Sequence, residues 1–375
     1  MKKILSASDA IAEAVRLCKP KVISAYPITP QTLIVEKLAD FTSNHSGKNL
    51  DAEFVNVESE HSAMSVCIGA EAVGARTFTA TSSQGLALMS ELLYIASGMR
   101  LPIVMAVVNR ALSAPLNIWG DHSDSMAQRD SGWMQFYAES AQEAYDTIIQ
   151  AYKISEAARI PAMICVDGFT LSHVWENVET INDIGNFVPE YKPEQTLLEQ
   201  APLTFGALAY PQYYQQFKEK QHNDMLSSID IIKKANIEFK EKFGRSYGDG
   251  LIETYRMEDA RFAILALGSV CTTARAAIDE MRSKGKKIGL IKLKCLRPFP
   301  KKEIEKFSKL KGIAVIERAI SPGSAGPVYA EIKSALPKTQ ANNFITGLGG
   351  KDITKEMLMK AAGKIGQKNE VEFLE

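Results

Sequence analysis

The chain has 375 residues, 46% hydrophobic and 23% charged, so it is long enough for about two domains with packed cores. Lysine plus arginine and aspartate plus glutamate each number 44, which gives a formal net charge of zero. This balance argues against nucleic-acid binding, which normally requires a basic excess or stripe. It also protects the chain poorly against self-association, which suits burial inside a larger complex.

The cysteines and the apolar runs indicate the cellular compartment. The five cysteines are far apart and never form a C-x-x-C pair, so we expect neither a disulfide framework nor a cysteine-ligated cluster; they are Cys18, Cys67, Cys165, Cys271 and Cys295. Asp9 and Glu13 interrupt the apolar N-terminal stretch, which argues against a signal peptide. The longest apolar run, residues 103–108, is too short to span a membrane. These features predict a cytoplasmic protein with buried, reduced cysteines.

Segments typical of strands and helices alternate through about the first 170 residues. Ser8 is placed to cap a helix that runs to about Cys18 and that Pro20 ends. Apolar runs follow, with helical patterns between them, at 21–26, 53–57, 76–81, 102–108 and 161–167. Apolar strands separated by helices predict a parallel sheet that is covered on both faces.

One connection breaks this alternation. Residues 109–132 follow the strand at 102–108 and show no clean period. In open α/β sheets, ligands bind outside the carboxyl ends of the strands, and long irregular loops there are usually functional. We therefore expect a ligand site at the end of this strand.

The second half of the chain changes character twice. Residues from about 170 to 258 are rich in turn formers and aromatics, include a polar helix at about 224–243, and predict a connecting arm that wraps another surface. Strand and helix patterns resume at residue 260. We predict a first domain over 1–235 that includes part of this arm, with the connector extending to 258, and a smaller α/β domain over 258–375.

A first polar cluster, Tyr26 to Pro30, lies where the first strand meets a helix. Pro30 suits the first helical turn, which would place Thr29 near the cap with its hydroxyl toward a ligand. An ordinary N-cap threonine followed by proline explains the same pattern. Spacing alone leaves both interpretations open.

A second cluster, Glu58 to His61, lies at the next junction of strand and helix. Glu58 and Glu60 are two residues apart, so we consider that one points inward while the other faces solvent or the helix N-terminus. A buried carboxylate here could share a proton with a nitrogen heterocycle. Two capping carboxylates beside a solvated His61 are the alternative.

A third cluster begins with Asn109 and Arg110, at the end of the strand at 102–108. An arginine in this position can hold a substrate carboxylate with a bidentate fork. Asp121, His122 and Asp124 could suggest a metal site, but two carboxylates and one histidine are a weak indication. A turn held by aspartate and serine side chains is the favoured interpretation.

Three glycine-rich corners are candidate anion sites. Gly248-Asp249-Gly250 resembles the start of a motif that holds Mg²⁺ and a diphosphate, but it follows a polar helix, and the stretch 270–284 lacks the asparagine that completes the motif. We therefore predict a turn. The corners at 267–269 and 323–327 could accept an anion at a helix N-terminus, although structural turns are favoured there.

Taken in order, AYPITPQT, VESEHSA, TSSQGLALM and VNRALSAPLNIWGDHSDSMAQRDSGW resemble the alpha subunits of pyruvate and related 2-oxoacid:ferredoxin oxidoreductases. The resemblance continues through LAYPQYYQQF and FGRSYG to LRPFP and ITGLGGKD, so it covers nearly the whole chain. Several motifs in the same order are far more specific than any single one. The resemblance implies a thiamine diphosphate-binding, pyrimidine-type domain with a doubly wound parallel sheet, then a transketolase C-terminal-like α/β domain.

The resemblance also implies a cofactor shared between subunits. This chain would hold the aminopyrimidine ring, a beta-type subunit would hold the diphosphate and Mg²⁺, and gamma- and delta-type (ferredoxin-like) subunits would carry [4Fe-4S] clusters. Glu60 matches the carboxylate that touches pyrimidine N1′, and Pro27 matches a wall of the pyrimidine pocket. Thr29 and Arg110 match the residues that bind the 2-oxoacid. No metal ligand is implied in this chain.

The implied reaction is the reversible oxidative decarboxylation of pyruvate to acetyl-CoA and CO₂ with reduction of ferredoxin. One alternative is the same mechanism on a branched-chain, aromatic or other 2-oxoacid, or on oxalate. Another is a noncatalytic structural subunit, which the presence of Thr29, Glu60 and Arg110 disfavours. Arg297 in LRPFP could meet an anion such as CoA. An NAD or nucleotide enzyme is disfavoured, because the chain has no G-x-G-x-x-G motif and no P-loop.

Overall fold

The computed structural model describes residues 1–43, 50–198, 204–367 and 371–375. The strands are β1 (Lys2–Leu5), β2 (Val22–Ala25), β3 (Glu53–Asn56), β4 (Thr77–Thr81), β5 (Val104–Asn109), β6 (Met134–Tyr137), β7 (Ala162–Asp167), β8 (Glu176–Glu179), β9 (Ile252–Tyr255), β10 (Phe262–Ala266), β11 (Ile288–Leu293), β12 (Cys295–Arg297), β13 (Gly312–Glu317), β14 (Gln340–Ile345) and β15 (Glu372–Phe373). The α-helices are α1 (Ala7–Cys18), α2 (Thr32–Thr42), α3 (Glu60–Ala72), α4 (Ser83–Leu88), α5 (Ser90–Gly98), α6 (Ser123–Ala127), α7 (Ala141–Ala158), α8 (Pro211–Phe243), α9 (Val270–Ser283), α10 (Lys301–Glu305), α11 (Pro327–Ala335) and α12 (Lys355–Gly363).

The first sheet has the strand order β12-β6-β7-β5-β4-β2-β3. All of its pairs are parallel except the pair of β12 with β6. From β2 the chain adds β3 on one side and then β4 on the other, so the strand order reverses at β2. In doubly wound sheets a ligand crevice opens at such a reversal, beyond the carboxyl ends of the strands. The predicted α/β class with a doubly wound parallel sheet is confirmed.

The second sheet has the order β15-β14-β13-β10-β11-β9, and only β9 runs antiparallel to its neighbour. β9 ends at Tyr255, before the boundary predicted at residue 258, and β12 returns to pair with the first sheet. The chain therefore passes between the two sheets more than once. A further ribbon pairs β1 with β8.

The sequence explains why the central strands form a buried core. Every residue of β5 and β7 is buried, because apolar residues occupy nearly all positions and helices cover both faces of a parallel sheet. α1 packs against α7 over one face of this sheet. The predicted cap of α1 was wrong. Ser6 rather than Ser8 accepts from Asp9 N at 3.1 Å, in a capping box, while Ser8 is buried within the first turn of the helix.

The polar helix of the arm is longer than predicted. α8 starts at Pro211 rather than near residue 224, and Gly244, with a φ of 76°, ends it. α8 packs against α7, and its buried residues lie in its C-terminal half. Phe239 is fully buried there, and its ring lies 5.3 Å from that of Phe187. Burying such a side chain contributes about 1.5–3 kcal/mol. Residues 211–220 are exposed.

The five cysteines are free and buried, as predicted. Burial raises the pKa of the Cys67 thiol to about 12, which leaves it uncharged and unreactive. Within the described parts of the chain, no helix combines the length and apolar character needed to cross a membrane.

Candidate active site

Four neighbouring strands of the first sheet end at one edge, in the order β5-β4-β2-β3. Ala25 of β2 is in register with Asn56 of β3, and Thr81 of β4 is in register with Val107 of β5. The loops that follow these strands therefore start side by side. The sequence-predicted residues Pro27, Thr29, Glu60 and Arg110 are all in these loops or begin the next helix.

The loop after β2 is held by a glutamine that sequence reasoning missed. Gln31 Nε2 donates to Ala80 O at 2.7 Å, and Ile28 N donates to Gln31 Oε1 at 3.2 Å. These bonds tie the loop to the end of β4. The expected place of Pro30 in the first helical turn was wrong, because α2 starts at Thr32 and its N-cap is Gln31.

Thr29 is therefore not a helix cap. Its side chain is exposed, as is that of Pro27, so both project from the tip of the loop at the protein surface. The Thr29 hydroxyl and the Pro27 ring are therefore accessible to a ligand or a partner chain at this edge of the sheet.

The loop after β3 separates the two carboxylates, with one inward and one outward. Glu60 begins α3 and is 6% exposed, while the Ser59 hydroxyl caps the helix by accepting from Ser62 N at 3.2 Å. Glu58 is exposed, and the Ser62 hydroxyl donates to it, which lowers the pKa of Glu58. His61 lies near the surface, 3.9 Å from Glu91. The inward group is Glu60.

Gly85 leaves space for the Glu60 carboxylate. A Cβ atom on Gly85 would lie 2.5 Å from Glu60 Oε1 and 2.4 Å from Thr81 Oγ1, closer than real Cβ contacts. Thr81 and Ser82 are fully buried, and their hydroxyls have no hydrogen-bond partner among the described residues. A buried carboxylate with unpartnered hydroxyls nearby suits a nitrogen heterocycle such as an aminopyrimidine, which both donates and accepts hydrogen bonds.

Arg110 and Thr29, predicted to act together, are in contact. Arg110 Nη1 donates to Thr29 O at 2.9 Å, and Nε donates to Asn117 O at 2.8 Å. Nη2 has no hydrogen-bond partner in the described part of the chain. Burial lowers the pKa of Arg110, but an arginine remains charged at neutral pH. A charged group with unused donors beside the β2 loop is suited to a carboxylate.

Asp124 connects the loops after β4 and β5. Its Oδ2 accepts from Ser83 N and Arg110 N, both at 2.9 Å. Its Oδ1 accepts from Asn109 Nδ2 at 2.8 Å and from Ser125 N at 2.7 Å. Burial raises the pKa of Asp124 to about 6, while these donors oppose the shift. From the sequence, this residue was considered as a weak metal ligand or, as the favoured interpretation, as part of a turn, and its contacts with Ser83 and Arg110 were not predicted.

The rest of the GDHSD run joins the two sheets. His122 Nε2 lies 2.7 Å from Asp167 Oδ1, and Arg318 Nη1 donates to the same oxygen at 2.8 Å. Asp121 accepts from Ser123 N at 2.9 Å within its own turn. The favoured interpretation as a turn held by aspartate and serine is confirmed. Among the described residues, no group of three or more His, Cys, Asp or Glu could hold a metal.

Two helix N-termini considered as anion sites already contact carboxylates of this chain. At the start of α9, Ser269 N donates to Asp167 Oδ2 at 2.7 Å. At the start of α11, Val328 N and Tyr329 N donate to Glu317 at 2.7 and 2.9 Å. Burial raises the pKa of Glu317 to about 7. Both corners are structural, as favoured.

Gly248-Asp249-Gly250 is the predicted turn. Asp249 Oδ1 accepts from Leu251 N at 3.0 Å and from Ile252 N at 2.9 Å, so its carboxylate is engaged by its own backbone. Arg297 donates to Glu331 at 2.5 Å and lies 3.5 Å from Asp130. Its charge is therefore already matched by two carboxylates, which does not favour an anion there.

Two family models match the chain. The thiamine diphosphate-binding domain of pyruvate flavodoxin/ferredoxin oxidoreductases matches residues 13–236, more than half of the chain. The core domain II of pyruvate:ferredoxin oxidoreductases matches residues 260–358.

Curated relatives match over nearly their full length. Pyruvate synthase subunit PorA of Methanothermobacter thermautotrophicus is 49% identical, over 94% of this chain and 92% of the relative. Ketoisovalerate oxidoreductase subunit VorA of Pyrococcus horikoshii is 46% identical, over 94% of this chain and 91% of the relative.

A solved structure has the same fold. The 2-oxoglutarate:ferredoxin oxidoreductase of Magnetococcus marinus superimposes with a TM-score of 0.74 at 20% identity over 97% of this chain. The present chain spans 65% of the length of that one. The family models, the relatives and the fold agree. This chain therefore belongs to the pyruvate flavodoxin/ferredoxin oxidoreductase family, whose domain binds thiamine diphosphate, and is a subunit of a 2-oxoacid:ferredoxin oxidoreductase.

Proposed function

We propose that this chain is the catalytic alpha subunit of a multisubunit 2-oxoacid:ferredoxin oxidoreductase that converts pyruvate and CoA to acetyl-CoA and CO₂, reversibly, and reduces ferredoxin. The observation that supports this most directly is the edge of the first sheet where Glu60 is buried against Gly85, with Arg110 nearby. The 49% identity with a pyruvate synthase subunit favours pyruvate as the substrate.

Glu60 is the proposed acid–base group. Thiamine diphosphate, when bound, supplies the carbon nucleophile for the 2-oxo group and accommodates the electron pair left by CO₂. Glu60 would hold the proton shared with pyrimidine N1′. Its burial at the start of α3 and the lack of a Cβ at Gly85 favour a close contact with a flat ring. Pro27, exposed at the loop tip, would form one wall of the pyrimidine pocket.

Arg110 and Thr29 would bind the substrate. The guanidinium of Arg110 is oriented by Thr29 O and Asn117 O, which leaves Nη2 for the substrate carboxylate. A fixed charge-assisted bond of this kind contributes about 1.5–3 kcal/mol. The exposed Thr29 hydroxyl would donate to a substrate oxygen.

The remaining parts of the reaction would come from partners. Asp249 is engaged in its own turn, so a beta-type subunit is proposed to hold the diphosphate and Mg²⁺. The dispersed, buried cysteines support placing the [4Fe-4S] clusters in gamma- and delta-type, ferredoxin-like subunits. The exposed loop tip supports a site completed by a neighbouring subunit. We propose a cytoplasmic location for this complex.

The domain limits also remain a proposal. A pyrimidine-binding domain over 1–235, with a connector to 258, and a second domain over 258–375 fit the two matched regions at 13–236 and 260–358. Two strands depart from these limits: β9 lies in the proposed connector but pairs with the second sheet, and β12 lies in the proposed second domain but pairs with the first sheet.

A second substrate class has one specific observation in its favour. The chain is 46% identical to a ketoisovalerate oxidoreductase subunit, close to its identity with the pyruvate synthase subunit. The same residues would then act on a branched-chain 2-oxoacid.

A substrate panel tests the proposal. The native complex, purified anaerobically through a tag on this chain, is assayed for viologen reduction with pyruvate, 2-oxoisovalerate, an aromatic 2-oxoacid, 2-oxoglutarate and oxalate, with and without CoA. CoA-dependent reduction that is fastest with pyruvate is expected. Preference for another acid would replace the substrate. No reduction with any acid, from a complex with intact clusters and thiamine diphosphate, would contradict a catalytic role.

A pair of neighbouring glutamates tests the acid–base assignment. Glu60→Gln keeps the side-chain size and removes the carboxylate, so pyruvate-dependent reduction is expected to fall by about 10²–10⁴-fold. Glu58→Gln is the matched control, because Glu58 is exposed and bonds only to Ser62 among the described residues. Equal activity in the two variants would remove Glu60 from the mechanism.

A further inference from the structure

Asp124 is the most highly connected carboxylate at the edge of the sheet where the site lies. It is 1% exposed, and each of its oxygens accepts two N–H donors. The donors come from the end of β5 and the residue after it, from α6 and from the first residue of α4. None of them is a charged side chain.

One of these donors belongs to a strained residue. Ser83 has a φ of 47°, in the left-handed region that non-glycine residues rarely adopt. Such a conformation persists only where the surroundings enforce it. Asp124 Oδ2 binds Ser83 N at 2.9 Å, and the Ser83 hydroxyl donates to Ala111 O at 2.6 Å. Ser83 is also the first residue of α4, which presents Gly85 to Glu60.

The same oxygen of Asp124 also fixes the other part of the site. Oδ2 binds Arg110 N at 2.9 Å, while Oδ1 binds the side chain of Asn109. A single buried carboxylate thus sets the backbone position of Arg110 and, through Ser83, the position of Gly85. We propose that Asp124 is a positioning residue that fixes the spacing between Glu60 and Arg110, an inference that rests on the function proposed above for those two residues.

The chemistry requires a carboxylate here. An asparagine has one oxygen and one NH₂ group, and either orientation of the amide would direct the NH₂ group at two N–H donors. Either orientation of the amide therefore loses two hydrogen bonds and leaves two buried N–H groups unpaired, which lowers the stability of this arrangement. Asp124→Asn should release the Ser83 turn or the Arg110 backbone without changing the residue's size.

Asp124→Asn is compared with Asp146→Asn in the whole complex. Asp146 is equally buried, but it binds Arg245 and Tyr247, remote from the edge that carries Glu60 and Arg110. For Asp124→Asn we expect kcat to fall by about 10²-fold and KM for pyruvate to rise by about tenfold, because misplacement of about 1 Å has effects of this size. Asp146→Asn should lower the unfolding temperature and leave KM unchanged.

Amide hydrogen exchange gives a readout that is independent of turnover. Peptides that contain Ser83 and Arg110 should exchange at least tenfold faster in Asp124→Asn than in the wild type, and Asp146→Asn should not change them. If Asp124→Asn does not fold, the wild-type complex still decides, because rapid exchange at the Ser83 and Arg110 amides would overturn the proposal. An unchanged KM, with kcat lowered only in proportion to the folded fraction, would also overturn it.

Failure of the proposed function is distinguishable from failure of this inference. A wild-type complex with no activity on any 2-oxoacid removes the reaction, whereas the exchange comparison at Ser83 and Arg110 requires no substrate.

Discussion

Arg110 is held at three points that leave its charge available. Its backbone N–H binds Asp124, and its side chain donates to Thr29 O and Asn117 O. The two carbonyls lie on loops that are distant in the sequence, so the guanidinium plane is fixed before any substrate arrives. A planar group oriented in this way can bind a carboxylate with little loss of side-chain entropy.

Replacing Arg110 by lysine tests this geometry. A lysine ammonium keeps the charge but cannot reach both carbonyls and the substrate with a planar fork. We expect KM for pyruvate to rise by about 10–100-fold, which corresponds to the loss of one charge-assisted bond. Arg245→Lys is the matched control, since the Arg245 side chain also makes two hydrogen bonds, in its case to the buried Asp146, but lies in the arm. Steady-state kinetics of the two complexes decide, and an unchanged KM in Arg110→Lys would contradict substrate binding by Arg110.

At the scale of elements, the contact between α3 and α4 determines the site. α4 is short, and its Gly85 faces the Glu60 side chain at the start of α3. Alanine is about 1 kcal/mol better than glycine inside a helix. Gly85 is therefore a position where the close approach of the two helices outweighs the local preference.

Gly85→Ala is expected to reduce activity more than stability. The added methyl group would displace the Glu60 carboxylate or the Thr81 hydroxyl, and we expect a loss of activity of about 10²-fold. Gly69→Ala in α3 is the control, because nothing lies within 4 Å of its added Cβ. The control should keep full activity and unfold at an equal or higher temperature. Equal activities of Gly85→Ala and Gly69→Ala would show that activity does not depend on the close contact between Gly85 and Glu60.

The main elements were predictable because their apolar residues repeat with strand or helix period. The central strands β4, β5 and β7 were placed within one or two residues. The sequence did not predict β1, β8, β9, β12 and β15. Each is at most four residues long and forms only by pairing with a strand far away in the chain. The start of α8 was missed because residues 211–220 are exposed and show no buried stripe.

The site was predictable where a strand end and a polar motif coincide. That rule placed Glu60 and Arg110 at one edge of the sheet, but it left open which of Glu58 and Glu60 points inward. The family resemblance pointed to Glu60, which is the buried one. The supporting residues were missed, because their importance lies in long-range hydrogen bonds. Gln31 reaches Ala80, and Asp124 reaches Ser83, and no local pattern predicts either bond.

At the scale of the whole molecule, buried charges join the two sheets. Lys292 and Lys294, at the end of β11 and just beyond it, donate to Glu143 of α7 at 2.7 and 3.0 Å. All three side chains are buried. A buried charge is costly without its partner. This contact therefore couples the first sheet, through α7, to the second sheet, through β11.

Removing Glu143 tests that coupling through stability and its pH dependence. Burial alone would raise the pKa of Glu143, but Lys294 and Lys292 outweigh it and lower the pKa to about 2. The unfolded value is about 4.3. The contribution of ionised Glu143 to the free energy of unfolding is therefore fully present above about pH 4.3 and is lost as the pH falls toward 2. Glu143→Gln should reduce the free energy of unfolding at pH 7 by about 3–5 kcal/mol, because two buried ammonium groups lose their shared partner.

Glu280→Gln is compared with Glu143→Gln to separate the effect of burial from the effect of removing a carboxylate charge. Lys284 and Lys355 lower the pKa of Glu280 to about 2 as well, but this side chain is only partly buried at the surface of α9, so salt screens its ion pairs. Thermal unfolding of both complexes between pH 7 and pH 3 in 0.15 M salt should show a large loss for Glu143→Gln that shrinks on acidification, and little change for Glu280→Gln. Equal unfolding temperatures for Glu143→Gln and the wild type at pH 7 would contradict this coupling and mean that apolar contacts hold the two sheets together instead.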